Sequence, residues 1–139
     1  MRVVLVAAAV AGSLFSIGFA PGIASAAPTT TEPVERPLSS SEVLFTGRSD
    51  IVDSEPVRVE AWSPLENAAG VRVYFLSGTP ACNGVRALTT ETADTVTVEL
   101  QSGLLPEAAN RRCTAKAVLA ATDVALDAPL GGRKVLSRY

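Results

Sequence analysis

Two cysteines are the side chains for which the sequence indicates the chemistry most directly. Cys82 and Cys113 are the only cysteines in the chain. An even pair in a chain with a signal-peptide pattern at its N-terminus, as in residues 1–26 here, most often forms a disulfide. Closing a loop of about 30 residues stabilises a fold by roughly 3 to 4 kcal/mol. A free reactive thiol or half of a metal site would be the alternatives, but two thiolates alone make a poor zinc site. The sequence therefore predicts a structural disulfide between Cys82 and Cys113.

The chain contains no histidine. This excludes Ser-His-Asp and Cys-His nucleophile activation, histidine general bases and histidine metal sites. The glycine-rich run Gly131-Gly132-Arg133 lacks the Lys-Ser/Thr pair and the following helix of a phosphate loop, so it indicates a tight turn between two short strands. We therefore predict that the protein is not an enzyme and that it binds no cofactor.

Carboxylates are the remaining candidates for chemistry. Four glutamates, Glu60, Glu66, Glu91 and Glu99, could supply the acid pair of a histidine-free glycoside hydrolase. Glu99 alternates with apolar residues and is expected to face solvent, and a domain this small leaves little room for a deep sugar cleft. A second group, Asp50, Asp53 and Glu55, could bind calcium, but its spacing matches no EF-hand loop. A solvated acidic loop is the better interpretation, and no metal site is predicted.

Two further segments have alternative interpretations. The loop Thr79 to Gly84 carries a proline beside Cys82, and a disulfide-anchored loop of this kind could inhibit a protease. Trp62 and Phe75 are expected to pack in the core. Tyr74 shares a strand face with Arg72 and Leu76, which is either a recognition surface or the second buried side of a central strand. We favour burial.

The N-terminal segment has the three parts of a secretory signal peptide, in order. Arg2 is followed by an uncharged run from Val3 to Ala20, by the helix-breaking pair Pro21-Gly22, and by the small residues of an A-x-A site. We predict a signal peptide over residues 1–26, cleaved between Ala26 and Ala27. An uncleaved anchor is the alternative, but the apolar run is at the short limit for a spanning helix.

The rest of the chain divides into a polar segment and one domain. Residues 27–42 consist mainly of Pro, Thr, Ser and Glu, which predicts a disordered spacer because such a segment buries little apolar surface. Residues 43–139 form the domain, a length that suits one compact core. The formal net charge of −2 argues against nucleic acid as a partner and against binding to a membrane surface, both of which need clustered positive charge.

Period-2 patterns predict that the domain is all-β. Alternating segments begin at Val57, Val71, Val85, Thr95 and Lys134, and Val96, Val98 and Leu100 share one face of the cleanest of them. The short connection at 92–94 predicts a hairpin between strands 85–92 and 95–101. Ala115 to Thr122 is apolar but rich in alanine, so helix and strand compete there, and Glu107 to Lys116 has room for one helical turn. Strands about ten residues apart predict a small antiparallel, immunoglobulin-like β-sandwich.

A longer pattern resembles that of small exported proteins of actinobacteria. The resemblance begins with the run from Phe75 to Val85, continues through Glu91-Thr92, Val96 to Val98 and Cys113, and ends in Leu126 to Arg133, which is similar to an LDAPLGDR turn. Asn83 stands where tyrosine is usual, and Gly132 where aspartate is common. The resemblance implies a two-cysteine, mostly β domain behind a signal peptide or lipid anchor, and it implies no activity. We expect an exported, non-enzymatic binding module of the cell envelope or medium, with a protein or envelope component as its partner. It would contact the membrane only through its signal peptide before cleavage. A protease inhibitor and a carboxylate hydrolase are the alternatives.

Overall fold

The structure is a computed structural model that describes Gly22 and residues 25–139. The predicted signal peptide, residues 1–26, and the alternative of a membrane anchor therefore lie almost wholly outside the described residues. Within the described part, no helix has the length and hydropathy that crossing a membrane requires.

The described chain is all-β, which confirms the predicted fold class. Its regular structure consists of ten strands and one 3-10 turn at Pro106–Ala108. The strands are β1 (Thr30–Thr31), β2 (Val34–Glu35), β3 (Val43–Phe45), β4 (Val52–Val57), β5 (Ala61–Pro64), β6 (Gly70–Ser77), β7 (Asn83–Glu91), β8 (Thr95–Leu104), β9 (Val118–Ala125) and β10 (Lys134–Arg138).

The first sheet is built around β8. Strand β7 pairs antiparallel along nearly the whole of one edge of β8, which confirms the predicted hairpin. The other edge is shared, since β10 pairs with its first half and β4 with its second half. Strand β1 adds to the outside of β10. The second sheet has the order β2-β5-β6-β9-β3.

The core lies between the inward faces of the two sheets. Val96, Val98 and Leu100 of β8 are fully buried, as their alternation predicts, and Phe75 of β6 is among the buried residues that pack with them. Trp62 is 8% exposed and belongs to the same cluster. The burial predicted for Trp62 and Phe75 is therefore confirmed.

The sandwich is not wholly antiparallel, which corrects one detail of the prediction. Three pairings are parallel: β10 with β8, β2 with β5, and β3 with β9. Each involves a strand of two to five residues. Parallel neighbours cannot be joined by a short turn, so these strands reach their partners from distant parts of the chain and leave no hairpin signal in the sequence.

Residues 27–42 are not a free spacer in the structure, and this prediction is corrected. Strand β1 pairs with β10 of the first sheet, and β2 pairs with β5 of the second. The chain then crosses the outer face of the second sheet as residues 36–42, which we call the strap. The ordering comes from backbone pairing and polar contacts, which a composition rule based on apolar burial does not detect.

Two other segments differ from their predicted bounds. The alanine-rich segment, in which helix and strand compete in the sequence, is a strand, and β9 continues without a break to Ala125. The alternation from Val57 to Trp62 is divided between β4 and β5. Only Pro106–Ala108 of the region around Glu107 to Lys116 is helical, as a 3-10 turn.

Candidate functional site

The predicted disulfide is present between Cys82 and Cys113, with 6.0 Å between the two Cα atoms. Cys82 is buried in a small satellite core with Leu105 and Ala108. Cys113 lies on the surface, in a stretch from residue 109 to 117 that belongs to no strand. The bridge therefore fixes an otherwise irregular segment against the end of the sandwich.

A groove of about 670 Å³ opens beside this bridge. We call it the end groove. Its walls come from β4, from the ends of β6 and β8, and from the segment that follows Cys113. The lining residues are Asp53, Glu55, Pro56, Val57, Leu76, Ser77, Gly78, Asn83, Ser102, Gly103, Leu104, Cys113, Thr114, Ala115, Lys116 and Ala117.

The floor of the end groove is polar where the sandwich interior would otherwise be apolar. Inward positions of β8 continue from Leu100 to Ser102, and those of β6 continue from Phe75 to Ser77, because side chains alternate along a strand. The two serine hydroxyls lie 3.3 Å apart and join the sheets across the gap. Ser77 is only 8% exposed. The apolar core therefore ends at this point in a pair of hydroxyls.

A β-bulge lies in β4 directly before Glu55. Val52 pairs with Leu104 and Glu55 with Ser102, so β4 has one more residue than β8 between these pairs. Asp53 has a φ of 49° at the bulge, a left-handed conformation that is uncommon outside glycine. Directly paired residues project to the same face, so Glu55 lies on the same face of the sheet as Ser102, and its side chain is exposed.

Gly103 makes this arrangement possible. A Cβ on Gly103 would lie 2.5 Å from the carbonyl oxygen of Val52 and 3.1 Å from the Cα of Ser54. Only glycine allows the bulged strand to approach β8 so closely. Gly103 therefore marks a close contact between two strands and lies inside β8.

The predicted acidic cluster is divided between two places. Asp50 accepts hydrogen bonds from the guanidinium of Arg48, which also bonds Glu107, and Arg48 lowers the pKa of both carboxyls. Asp53 and Glu55 instead line the end groove, and neither forms an ion pair with any residue that the structure describes. Among the described residues, no group of three or more potential ligands could hold a metal ion.

The four candidate hydrolase carboxylates do not meet in the end groove. Glu60 is exposed and lies 3.7 Å from Arg58, and Glu66 is exposed in a turn. Glu99 projects from the outer face and pairs with Arg138. Glu91 is taken up by a structural contact, in which it accepts hydrogen bonds from the backbone N–H of Asp127 and from Arg133.

This contact explains the role of the Leu126 to Arg133 turn. Arg133 donates to Glu91 and to the carbonyls of Ala128, Pro129 and Leu130. The Asp127 N–H and Arg133 lower the pKa of Glu91. The cluster fastens the turn to the tip of the β7–β8 hairpin, and Gly131 has a φ of 56° within it. The predicted tight turn is confirmed.

The predicted inhibitor loop has the wrong shape for inhibition by substrate mimicry. The N–H groups of Cys82 and Asn83 both donate to the carbonyl of Thr79, and so does the Asn83 side-chain amide. The loop is thus a closed turn, and Cys82 is 2% exposed within it. An inhibitor that imitates a substrate presents an extended backbone, which this turn does not offer.

The face that carries Tyr74 is covered at one end and open at the other. Tyr74 is 3% exposed beneath the strap, which confirms the favoured burial. Leu76, two residues along, is 55% exposed and pairs directly with Leu119, which is 68% exposed. Leu44, on neighbouring β3, is 56% exposed. The open end of this face therefore presents Leu76 and Leu119 beside the end groove, and Leu44 is exposed on the adjoining edge strand, level with Tyr74.

Sequence reasoning missed the inward-facing polar residues of the end groove. Ser102 continues the period-2 series of Val96, Val98 and Leu100, so the alternation predicts that it faces inward. Glu55 alternates with Val57 and therefore shares its face, but the sequence does not show that β4 pairs with the end of β8 at this point. Comparisons of the chain with protein-family models, with curated proteins and with solved structures found no match.

Proposed function

We propose that this chain is an exported, non-enzymatic binding module, and that its end groove holds a basic side chain of a partner protein. The observation that carries the proposal is the carboxylate of Glu55, which lines the groove, pairs in register with Ser102 and forms no ion pair with any described residue. Glu55 is exposed, so a partner can reach its carboxylate. A lysine or arginine of the partner would form a charged hydrogen bond with it.

The charges of the groove favour a cationic ligand group. Among the lining residues, Asp53 and Glu55 carry two negative charges, against the single positive charge of Lys116. Apolar side chains, among them Val57, Leu76 and Leu104, line the same space and would contact the stem of a long basic side chain. The exposed leucines next to the groove extend the contact surface available to a partner.

Export rests on the signal-peptide pattern, and the disulfide is consistent with an extracytoplasmic location for a small domain. The likeness to small exported actinobacterial proteins stays a prediction, since no comparison tests it. Neither the inhibitor nor the hydrolase alternative is supported by a specific contact among the described residues.

The test is selection from a phage-displayed random peptide library on immobilised, oxidised protein. Glu55→Gln removes the charge and keeps the shape, and Glu66→Gln is the matched control in an exposed turn outside the groove. We expect Lys- or Arg-containing peptides to be enriched on the wild type and on Glu66→Gln. Their affinity for Glu55→Gln should fall about tenfold or more, since a charged hydrogen bond contributes about 1.5–3 kcal/mol. Equal binding to Glu55→Gln, or no enrichment of basic peptides, would refute the proposal.

A further inference from the structure

One irregular segment of the chain combines adjacent basic residues with full exposure. Residues 109–117 belong to no helix or strand, and all of them are exposed. Arg111 and Arg112 are neighbours within it and directly precede Cys113. Exposed segments without backbone pairing are where endoproteases cut folded proteins, because a protease must bind its substrate as an extended strand.

We propose that the Arg111-Arg112 pair is a processing site for a trypsin-like endoprotease, and that cleavage there yields a two-chain protein held together by the disulfide. In the reaction, water adds across the peptide bond that follows Arg111 or Arg112. The arginine gains a carboxylate, and the next residue gains a free amino group. The proposal depends on the fold and the disulfide, and is independent of what the end groove binds.

The position of Arg112 suits a protease better than any other basic residue in this segment. The residues on either side of it, from 109 to 115, are all outside strands. Arg111 donates to the carbonyl of Ala81, whereas the guanidinium of Arg112 has no hydrogen bond or ion pair to any residue that the structure describes. Lys116 lies in the same segment, but Val118 begins β9 two residues later and pairs with Ser77. A protease cutting after Lys116 would have to pull β9 out of the sheet.

The other basic residues lie in paired or packed backbone. Arg72, Arg86 and Arg138 are within strands. Arg58 is the most comparable, since it is exposed and outside a strand, but Val59 beside it is 1% exposed and its N–H donates to the hydroxyl of Ser137. Cleavage at Arg58 therefore requires a core residue to leave its place.

The disulfide determines what cleavage does to the molecule. After cleavage at either arginine, Cys113 stays on the C-terminal fragment and remains bonded to Cys82. That fragment also contains β9 and β10, which pair with β6 and β8 near the middle of the two sheets. The cut therefore leaves both sheets paired and the Cys113 to Ala117 wall of the end groove attached at both ends.

The test is limited digestion of the oxidised full chain by a small amount of trypsin, followed by intact-mass measurement and electrophoresis with and without reductant. We expect a first product heavier than the starting protein by one water, a single band without reductant and two bands with it. Arg111→Gln combined with Arg112→Gln should slow this first cut at least about tenfold, while Arg58→Gln should leave its rate unchanged.

Three results would overturn the proposal. The first is an initial cut after Arg58 or at another basic residue within a strand. The second is an initial cut after Lys116, recognised because the fragments then separate without reductant. The third is an unchanged rate for the variant that lacks both arginines. Far-ultraviolet circular dichroism of that variant confirms that it is folded before its rate is compared.

Discussion

The strap over Tyr74 gives the sharpest test of the structure, because composition alone predicts that residues 27–42 are free. The Tyr74 hydroxyl accepts a hydrogen bond from the Ser39 N–H at 3.0 Å and lies 3.0 Å from the Ser63 hydroxyl. Ser63 in turn donates to the carbonyl of Arg36 at 2.7 Å, so Tyr74 is the donor to Ser63. The guanidinium of Arg36 also lies over the Tyr74 ring, 4.2 Å from its centre.

Tyr74→Phe isolates the hydroxyl, since the phenylalanine ring keeps the contact with Arg36. The substitution removes two hydrogen bonds, each contributing about 1 kcal/mol, so we expect the free energy of unfolding to fall by about 2 kcal/mol. For a domain of this size the midpoint of thermal unfolding should fall by about 8 °C. If the strap detaches without global unfolding, the Ser39 amide should exchange its hydrogen about thirtyfold faster.

The assays are urea unfolding and residue-resolved amide hydrogen exchange at neutral pH. Tyr139→Phe is the matched control, because no described residue forms a hydrogen bond with the Tyr139 hydroxyl. Fast exchange at Ser39 in the wild type, at the rate of an unstructured peptide, would refute the docked strap. So would a Tyr74→Phe variant whose stability and exchange match those of Tyr139→Phe.

Two further predictions concern the disulfide and the hairpin tip. Replacing Cys82 and Cys113 together by alanine should lower the free energy of unfolding by about 3.7 kcal/mol, because the disulfide closes a loop with a sequence separation of 31 and so reduces the entropy of the unfolded chain. Urea unfolding measures this loss, and a loss below about 1 kcal/mol would contradict the prediction. The pKa of Glu91 is lowered in the folded state, so its contribution to stability is present above the unfolded value of about 4.3 and is lost as the pH falls through the folded value. Glu91→Gln should therefore be less stable than the wild type at neutral pH, and the difference should disappear at a pH below the folded-state pKa of Glu91. A difference that persists in acid would argue against this role.

The strands that the sequence predicted best are those with an apolar face buried along their full length. Strand β8 is the clearest case, because Val96, Val98 and Leu100 alternate without interruption and are all fully buried. The hairpin with β7 followed from the shortness of the turn between them. For these strands the hydrophobic alternation and the short turn both indicate the observed pairing, so local sequence patterns are enough to predict them.

Local sequence patterns could not predict the strand pairings that polar or very short segments make with distant parts of the chain. Strands β1 and β2 have two residues each, and neither buries a large apolar side chain. What holds the strap is a set of polar contacts to Tyr74, Ser63 and Arg72, residues far along the chain. Arg72 donates to the carbonyl of Ser39 as well as to Asp123. Such contacts cannot be predicted from the sequence because they form only after the sheet has brought distant residues together.

The candidate site combines residues that local patterns predict with a pairing made at a distance, so the sequence predicted only part of it. Cys82, Cys113 and the inward position of Ser102 follow from residue type and alternation. Glu55 shares the face of Val57 by the same alternation, but its place beside Ser102 depends on the pairing of β4 with the second half of β8. That pairing includes an extra residue in β4, which is tolerated because Gly103 has no side chain to oppose it. The end groove therefore depends on a tertiary contact between a bulge and a glycine far along the chain, and no local sequence pattern shows that contact.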